Sequence, residues 1–321
     1  MNPERRALIL GLAAAPLAAR GQTWPARALR LVVPYAPGGG LDVFNRPVAL
    51  RLSELFGQAV IVDNRAGASG VIGAEAVAKA PPDGYTLLSA FASQALQAFV
   101  AKNVPFDSER DFTPIIGAAR APIVVVVNPA LPVHSMKELI AYAKSNPGKV
   151  AYVTAGANTA QHLTGLLLTS ATGAEFIHVA YKGGAPALND LLGGQIQMGI
   201  LVLGPISQQI QAGRLRALAV IEATRAKAAP QLPTIEEAGI PGVVMADTWI
   251  GYFGPRGLPP SIVTQLNAQI TRAITSPDIR ARLEAAGYEV TGGTPEQFAE
   301  NLSRTIEIYR RIVTAAGIKP E

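Results

Sequence analysis

The chain has 321 residues, 49% hydrophobic and 16% charged, with a net charge of +5 and no cysteine. Its length suits two domains rather than one core, and its composition excludes a disordered chain. The missing thiols exclude disulfides, Cys-ligated metals, thiol catalysis and a lipid-modified N-terminal Cys.

Residues 1–21 read as an export signal. Arg5-Arg6 form a basic head, and the apolar run Ala7 to Ala19, interrupted by Pro16, is shorter than the roughly 20 residues of a spanning helix. Ala19 and Gly21 are small residues placed for a cut before Gln22. Both general and twin-arginine export fit the paired arginines, and a buried N-terminal helix is the competing reading. Loss of Arg5, Arg6, Arg20 and Glu4 with this segment leaves a mildly basic chain. Its Lys and Arg are scattered without aromatic interleaving, so no nucleic-acid footprint is present. A mildly positive protein suits a small anionic ligand. The mature protein is expected to be soluble, monomeric and periplasmic.

Short apolar runs then alternate with amphipathic stretches, the pattern of an α/β fold with mostly parallel strands. Leu29 to Tyr35 is a predicted strand, followed by Ala36-Pro37-Gly38-Gly39-Gly40 and a helix through Leu55. Val60 to Val62 and Thr86 to Leu88 are further strands, and the β-branched run Ile123 to Val127 reads as a strand buried on both faces. Ser135 with Glu138 forms a capping box for a helix through Lys144, stopped by Asn146-Pro147-Gly148. Val150 to Val153 is a strand, Thr154 to Thr159 a small polar loop, and Leu163 to Thr169 a helix. Pro260, Pro277 and Pro295 each mark a helix start, with Thr294 and Gln297 as a second capping box. The C-terminal segment is therefore expected to be helical and to pack on a sheet made earlier.

The strand–loop–helix unit of residues 29–55 thus recurs at residues 150–169. At a helix N-terminus the first amides lack partners and the dipole adds partial positive charge. Gly there permits close approach, so a carboxylate can dock without a charged side chain. Two such ends facing a shared crevice would make an anion site; the competing reading is two ordinary turns. Pro34 to Gly40 has neither a P-loop Lys nor a GxGxxG spacing. Ser69 lies in a sequence without the second Gly of a nucleophile elbow, and no HExxH spacing exists. An exported carboxylate-processing enzyme therefore lacks a recognisable acid–base set. No metal and no cofactor are expected.

Several segments together resemble a known family: VVPYAPGGGLD (Val32 to Asp42), VDNRAGASGVIGAEAVAKAPPDGYTLL (Val62 to Leu88), DFTPI (Asp111 to Ile115), HVAYKGGAPALNDLLGGQIQM (His178 to Met198) and LPTIEEAGIPG (Leu232 to Gly242). KELIAYAKSNPGKVAY, AGRLRALAV and TWIGYFGPRGLPP extend the match in order over nearly the whole mature chain. This pattern is similar to the Bug family, periplasmic receptors of tripartite tricarboxylate transporters. The resemblance implies a type II, two-lobed periplasmic-binding-protein fold, each lobe a mixed sheet flanked by helices. Residues 22–122 with 242–321 would form lobe 1 and residues 123–241 lobe 2. It implies no enzyme activity but capture of a small carboxylate for membrane permease subunits, with a sensing receptor for a membrane kinase as the alternative.

Family members hold the ligand with backbone groups and ordered water from two cleft loops. Here these would be Tyr35, Ala36, Pro37, Gly38, Gly39, Gly40 and Asp42 in the first loop. Thr154, Ala155, Gly156, Asn158 and Thr159 would supply the second. His162 either contacts ligand or satisfies a neighbouring backbone group. Tyr181-Lys182-Gly183 either reaches the cleft rim or is a surface turn, and Trp249 either lines the cleft or packs at the hinge. His178 reads as structural, His134 as solvent-facing, and Asp42 suits orienting its loop better than acting as a base.

Three departures from the family pattern bear on specificity. Leu166 stands where an acidic residue often follows the motif histidine, and Leu201-Val202 replace a polar Asp-Asn pair. Both make the second lobe more apolar, pointing to a monocarboxylate with an apolar or aromatic body rather than citrate; core packing is the competing reading. Pro47 falls where the family has a helix former, so the helix is expected to start later with Asn45 capping, or to kink.

Overall fold

The structure, a computed structural model, describes residues 24–320; the export segment lies outside the described residues. Two mixed sheets organise two lobes. The first sheet contains β1 (Leu29–Val33), β2 (Val60–Asn64), β3 (Thr86–Phe91), β4 (Phe112–Arg120), β10 (Trp249–Pro255) and β11 (Glu289–Val290), in the order β11-β4-β10-β3-β1-β2. The second contains β5 (Ile123–Val127), β6 (Ala151–Thr154), β7 (Ile177–Ala180), β8 (Met198–Val202) and β9 (Arg216–Val220), in the order β7-β6-β8-β5-β9.

β1 pairs in parallel with β2 and β3, and β6 with β7 and β8. The strands at the crossings run the other way: β10 is antiparallel to β3 and β4, and β5 to β8 and β9. β5 is buried throughout as its β-branched run predicts, yet its antiparallel partners show that burial on both faces, not strand direction, produced that run. The chain passes between sheets from Arg120 to Ile123 and again from Val220 to Trp249.

Helix α1 (Gly40–Phe56) corrects one sequence expectation. It begins at Gly40 and runs through Pro47, and Asn45 caps nothing. Asn45 instead donates to the Leu41 carbonyl and to Ser89 Oγ, while Tyr252 donates to its Oδ1. An interior proline costs about 3 kcal/mol. Burying Leu41, Phe44, Val48 and Leu52 on one stripe, each worth roughly 1.5–3 kcal/mol, exceeds that cost. Tertiary packing therefore sets the helix start.

Lobe 1 also carries α2 (Val71–Ala78), α3 (Ser93–Val100), α8 (Pro260–Thr275), α9 (Pro277–Ala285) and α10 (Pro295–Ala315). Its three C-terminal helices begin at Pro260, Pro277 and Pro295, with a complete capping box between Thr294 and Gln297. The short strand β11 interrupts the helical C-terminal segment and pairs with β4. Lobe 2 carries α4 (Met136–Ser145), α5 (Ala160–Thr172), α6 (Gly184–Leu192) and α7 (Leu203–Gln211). Ser135 caps α4, but Glu138 returns to the amide of His134 rather than to that of Ser135.

One arginine gathers the crossings. Arg120, at the end of β4, reaches Glu222 at 2.8 Å, Glu289 at 3.0 Å and Asp247 at 3.4 Å. Glu222 follows β9 and Asp247 precedes β10, so both ends of the second crossing and β11 meet one cation at the start of the first. The Thr248 amide donates to Glu222, and the Ala121 amide to the Thr248 carbonyl.

Candidate functional site

Both sequence-predicted loops lie where the lobes meet, and the lobes are in contact there. The Ala36 amide donates to the Lys182 carbonyl at 3.3 Å, and Gln97 Nε2 on α3 to the Asn158 carbonyl at 3.0 Å. Two small cavities sit between the lobes and share Tyr35, Phe91, Ala155, Gln161 and Val202. Each is about 20 Å³, room for about one water. A small organic acid therefore needs the lobes to separate before it can enter.

The cavity walls are helix beginnings. Gly40 and Leu41 come from α1, Ser93 from α3, Ala160 and Gln161 from α5, and Gly184 from α6; Pro205 and Ile206 open α7. The first amides of each helix have no intrahelical partner, and the dipoles bring partial positive charge to their ends. No Asp, Glu, Lys or Arg lines either cavity. Such a site can hold one anionic group on backbone amides while presenting neutral walls to the rest of the ligand.

Within the first loop the roles divide. Tyr35, Gly39 and Gly40 line the cavities, Ala36 bonds across the cleft, and Pro37 and Gly38 are exposed. Asp42 points away from the cavity. Its carboxylate accepts from the Gly38 amide at 2.9 Å, from Arg46 at 2.7 and 2.9 Å, and from Asn64 at 3.0 Å. Burial pushes this carboxyl up, but Arg46, the Gly38 amide and Asn64 outweigh it and hold it below the ordinary range. Asp42 ties the loop to α1 and β2 through Gly38, Arg46 and Asn64, and lines neither cavity.

The second loop is held by its own side chains. Thr154 Oγ1 donates to the Gly156 carbonyl, as does Thr159 Oγ1, which also caps α5 by accepting from the His162 amide. The Ala155 amide is taken by Gln161 Oε1 at 2.8 Å, and the Asn158 amide by His162 Nδ1 at 3.2 Å. His162 stacks on His178 with ring centroids 4.0 Å apart, and His178 on Tyr152 at 4.9 Å. His178 Nε2 lies 2.7 Å from Thr154 Oγ1. Burial and the neighbouring His162 push His178 down to about 4, so it is neutral near pH 7. His162 Nδ1 thus satisfies the Asn158 amide of this loop, and its ring stacks on His178.

Tyr181 turns its hydroxyl to Asp190 in its own lobe, and that bond, with burial, pushes it up to about 12. Lys182 is exposed and contributes its carbonyl. Trp249 packs against Phe253 and Phe298 and donates to Thr305 at 3.0 Å, so it belongs to the lobe 1 core. Leu201 and Val202 line a cleft cavity with Phe91. Leu166 is on the surface, 38% exposed. The sequence reading missed Phe91, Ser93, Gln97, Gln161 and Gly184. Phe91 stands at a strand end and Ser93, Gln161 and Gly184 in first helical turns, a signal that was available; Gln97, a turn further into α3, carries none.

A larger cavity of about 660 Å³ lies elsewhere in lobe 2, between α7, β9 and the start of α4. No cleft loop lines it, and Arg216 at its wall is bonded to the Val133 carbonyl. Among the described residues no group of His, Cys, Asp and Glu could hold a metal, and no helix is long and apolar enough to cross a membrane.

Residues 44–318 match the family described as "Tripartite tricarboxylate transporter family receptor". Protein BugT of Bordetella pertussis is 36% identical over 99% of this chain and 99% of its own. A solved structure of R. palustris Rpa4515 with adipate is 38% identical, with a TM-score of 0.88 over 93% of this chain and 100% of that one. MatC from Rhodopseudomonas palustris with bound malate is 28% identical, with a TM-score of 0.85 over 90% of this chain and 100% of that one. The family and its solved members are solute-binding proteins, not enzymes.

Proposed function

The chain belongs to the tripartite tricarboxylate transporter receptor family, and from that premise we propose that it captures a monocarboxylate with an apolar or aromatic body. The observation that carries this reading is the pairing of opposed helix N-termini with a cleft wall made by Leu201, Val202 and Phe91. One carboxylate meets the amides, and the body meets apolar side chains. A second or third carboxylate would meet no cation there and would lose hydration without compensation. Adipate, bound by the R. palustris relative, is a dicarboxylate on a hydrocarbon chain: it supports the apolar body, while the monocarboxylate reading rests on the absence of charged side chains from this chain's cleft cavities.

Lobe 1 (residues 22–122 with 242–321) and lobe 2 (residues 123–241) hinge around the ligand. The mature protein works in the periplasm as a monomer after residues 1–21 are removed, and delivers its acid to membrane permease subunits. The test is thermal unfolding of residues 22–321 against aliphatic, aromatic, di- and tricarboxylic acids. Ligand at about 100 times its dissociation constant stabilises by about 2.7 kcal/mol. The expected result is a saturable shift with an apolar monocarboxylate. A stronger shift with citrate, and none with apolar acids, would overturn the apolar reading.

A further inference from the structure

Behind the cleft, within lobe 1, lies another small cavity of about 10 Å³ lined by Gln94, Gln97, Ser69, Tyr35, Phe91 and Phe106. Gln94 is only 7% exposed, and neither its Nε2 nor its Oε1 has a hydrogen-bond partner. A buried amide left unpaired is costly, and folded proteins pair nearly all such groups. The Tyr35 hydroxyl, the Gln97 amide and the Ser69 and Gln94 carbonyls are already committed. Tyr35 donates to the Ser69 carbonyl, Gln97 bonds the Ser69 and Asn158 carbonyls, and Ser108 occupies the Gln94 carbonyl. Only two aromatic rings, Tyr35 and Phe91 with centroids 6.0 Å apart, line both this cavity and the cleft.

We propose that Gln94 is a specificity residue that reads the far end of the bound acid, selecting a monocarboxylate whose apolar body ends in a hydroxyl or a primary amide. The proposal rests on the cleft reading above and extends it. An amide offers one acceptor and two donors, so its complement is a group that both donates and accepts. A methyl end would leave both Gln94 atoms unpaired. A second carboxylate would satisfy only the donors, and no Lys, Arg or His lines this cavity to balance its charge. The carboxylate would stay on the helix amides, the body would pass Phe91, and Tyr35 and Phe91 would turn to admit the end group.

The experiment is calorimetric titration of the mature chain with four acids of one chain length: the methyl-ended acid, its ω-hydroxy derivative, the ω-half-amide and the α,ω-dicarboxylate. The set is repeated from butyrate to octanoate. The hydroxy acid or half-amide should bind at least about tenfold tighter than the methyl-ended and dicarboxylic acids, because a site built for a hydrogen bond rejects analogues that lack it. In Gln94→Leu and Gln94→Met that ratio should fall to near one, with melting temperatures measured to confirm folding. Equal affinities in the wild type, as when a single water serves Gln94, would overturn the proposal. So would a dicarboxylate that binds tightest, or a preference that survives both variants. Binding by none of the acids would instead sink the cleft reading itself.

Discussion

Gln97 and Asn158 belong to different lobes and meet through one hydrogen bond, from the Gln97 side-chain amide to the Asn158 carbonyl at 3.0 Å. Gln97 is 3% exposed, and Asn158 holds a left-handed backbone angle, φ 55°, that Asn tolerates better than most residues. With the Ala36–Lys182 backbone bond, this contact joins the two lobes beside both predicted loops without using any charge. Closure of the cleft is therefore carried by neutral hydrogen bonds that ionic strength screens little.

Replacing Gln97 by Leu keeps the buried volume and removes the donor. A typical hydrogen bond contributes about 1 kcal/mol net, so ligand affinity should fall about fivefold. The loss should appear in the dissociation rate, since a bond between the lobes must break when they separate. Stopped-flow release of ligand measures it; an unchanged dissociation rate would exclude Gln97 as a closure contact.

A side chain at Gly183 should press on Ala36 across the cleft and oppose the contact between the lobes. A Cβ built there would sit 3.1 Å from the Ala36 nitrogen and 3.2 Å from its Cβ, and φ is +130°. Gly183→Ala should fold with a stability loss of about 1–3 kcal/mol from backbone strain. It should also fail to contract on adding ligand, as followed by small-angle scattering. Ligand-induced contraction equal to that of the wild type would show that the lobes close along another path.

Much of this arrangement was legible in the sequence because it is local. The glycines at Gly38 to Gly40 and the polar run Thr154 to Thr159 mark loops before helices, and the structure places both at the lobe contact. The proline-led C-terminal helices were equally local. What escaped depends on distant packing. Pro47 argued for a later helix start, but the buried stripe of α1 overrides that preference. Asp42 reads as a loop-orienting residue, but its partner Asn64, from β2, is set by sheet packing that the sequence does not display. The roles of Gln94 and Gln97 require knowing which lobe faces them, and no periodicity in α3 encodes that.

The apolar wall can be tested at Val202, whose side chain lines the cleft and lies 3.3 Å from a Cβ built on Gly40. Val202→Asn keeps a similar size but places an amide against the ligand body. Burying a Val-sized apolar contact is worth roughly 1.5 kcal/mol, so affinity for apolar monocarboxylates should drop about tenfold. Affinity for a short dicarboxylate should hold or rise. Parallel titrations of the two acids check this; an equal drop for both would mean that Val202 merely packs the core.

The hinge cluster predicts a pH dependence whose sign is fixed. Glu222 is fully buried; burial pushes its carboxyl up to about 7, with Arg120 opposing and Asp247 reinforcing the shift. In the unfolded chain it titrates near 4.5. Between these values the folded protein holds a proton that the unfolded chain has released. Stability from this group is therefore complete below about pH 4.5 and falls as pH rises through 7. The loss is on the order of 3 kcal/mol, an upper figure because Arg120 remains to pair the carboxylate. Glu222→Gln removes the titration while keeping an acceptor for the Thr248 amide. Subtracting the variant's stability-against-pH curve from that of the wild type should leave a decline across pH 5 to 7. A flat difference would show that Arg120 keeps Glu222 ionised throughout, and an upward one would reverse the balance between burial and pairing at the hinge.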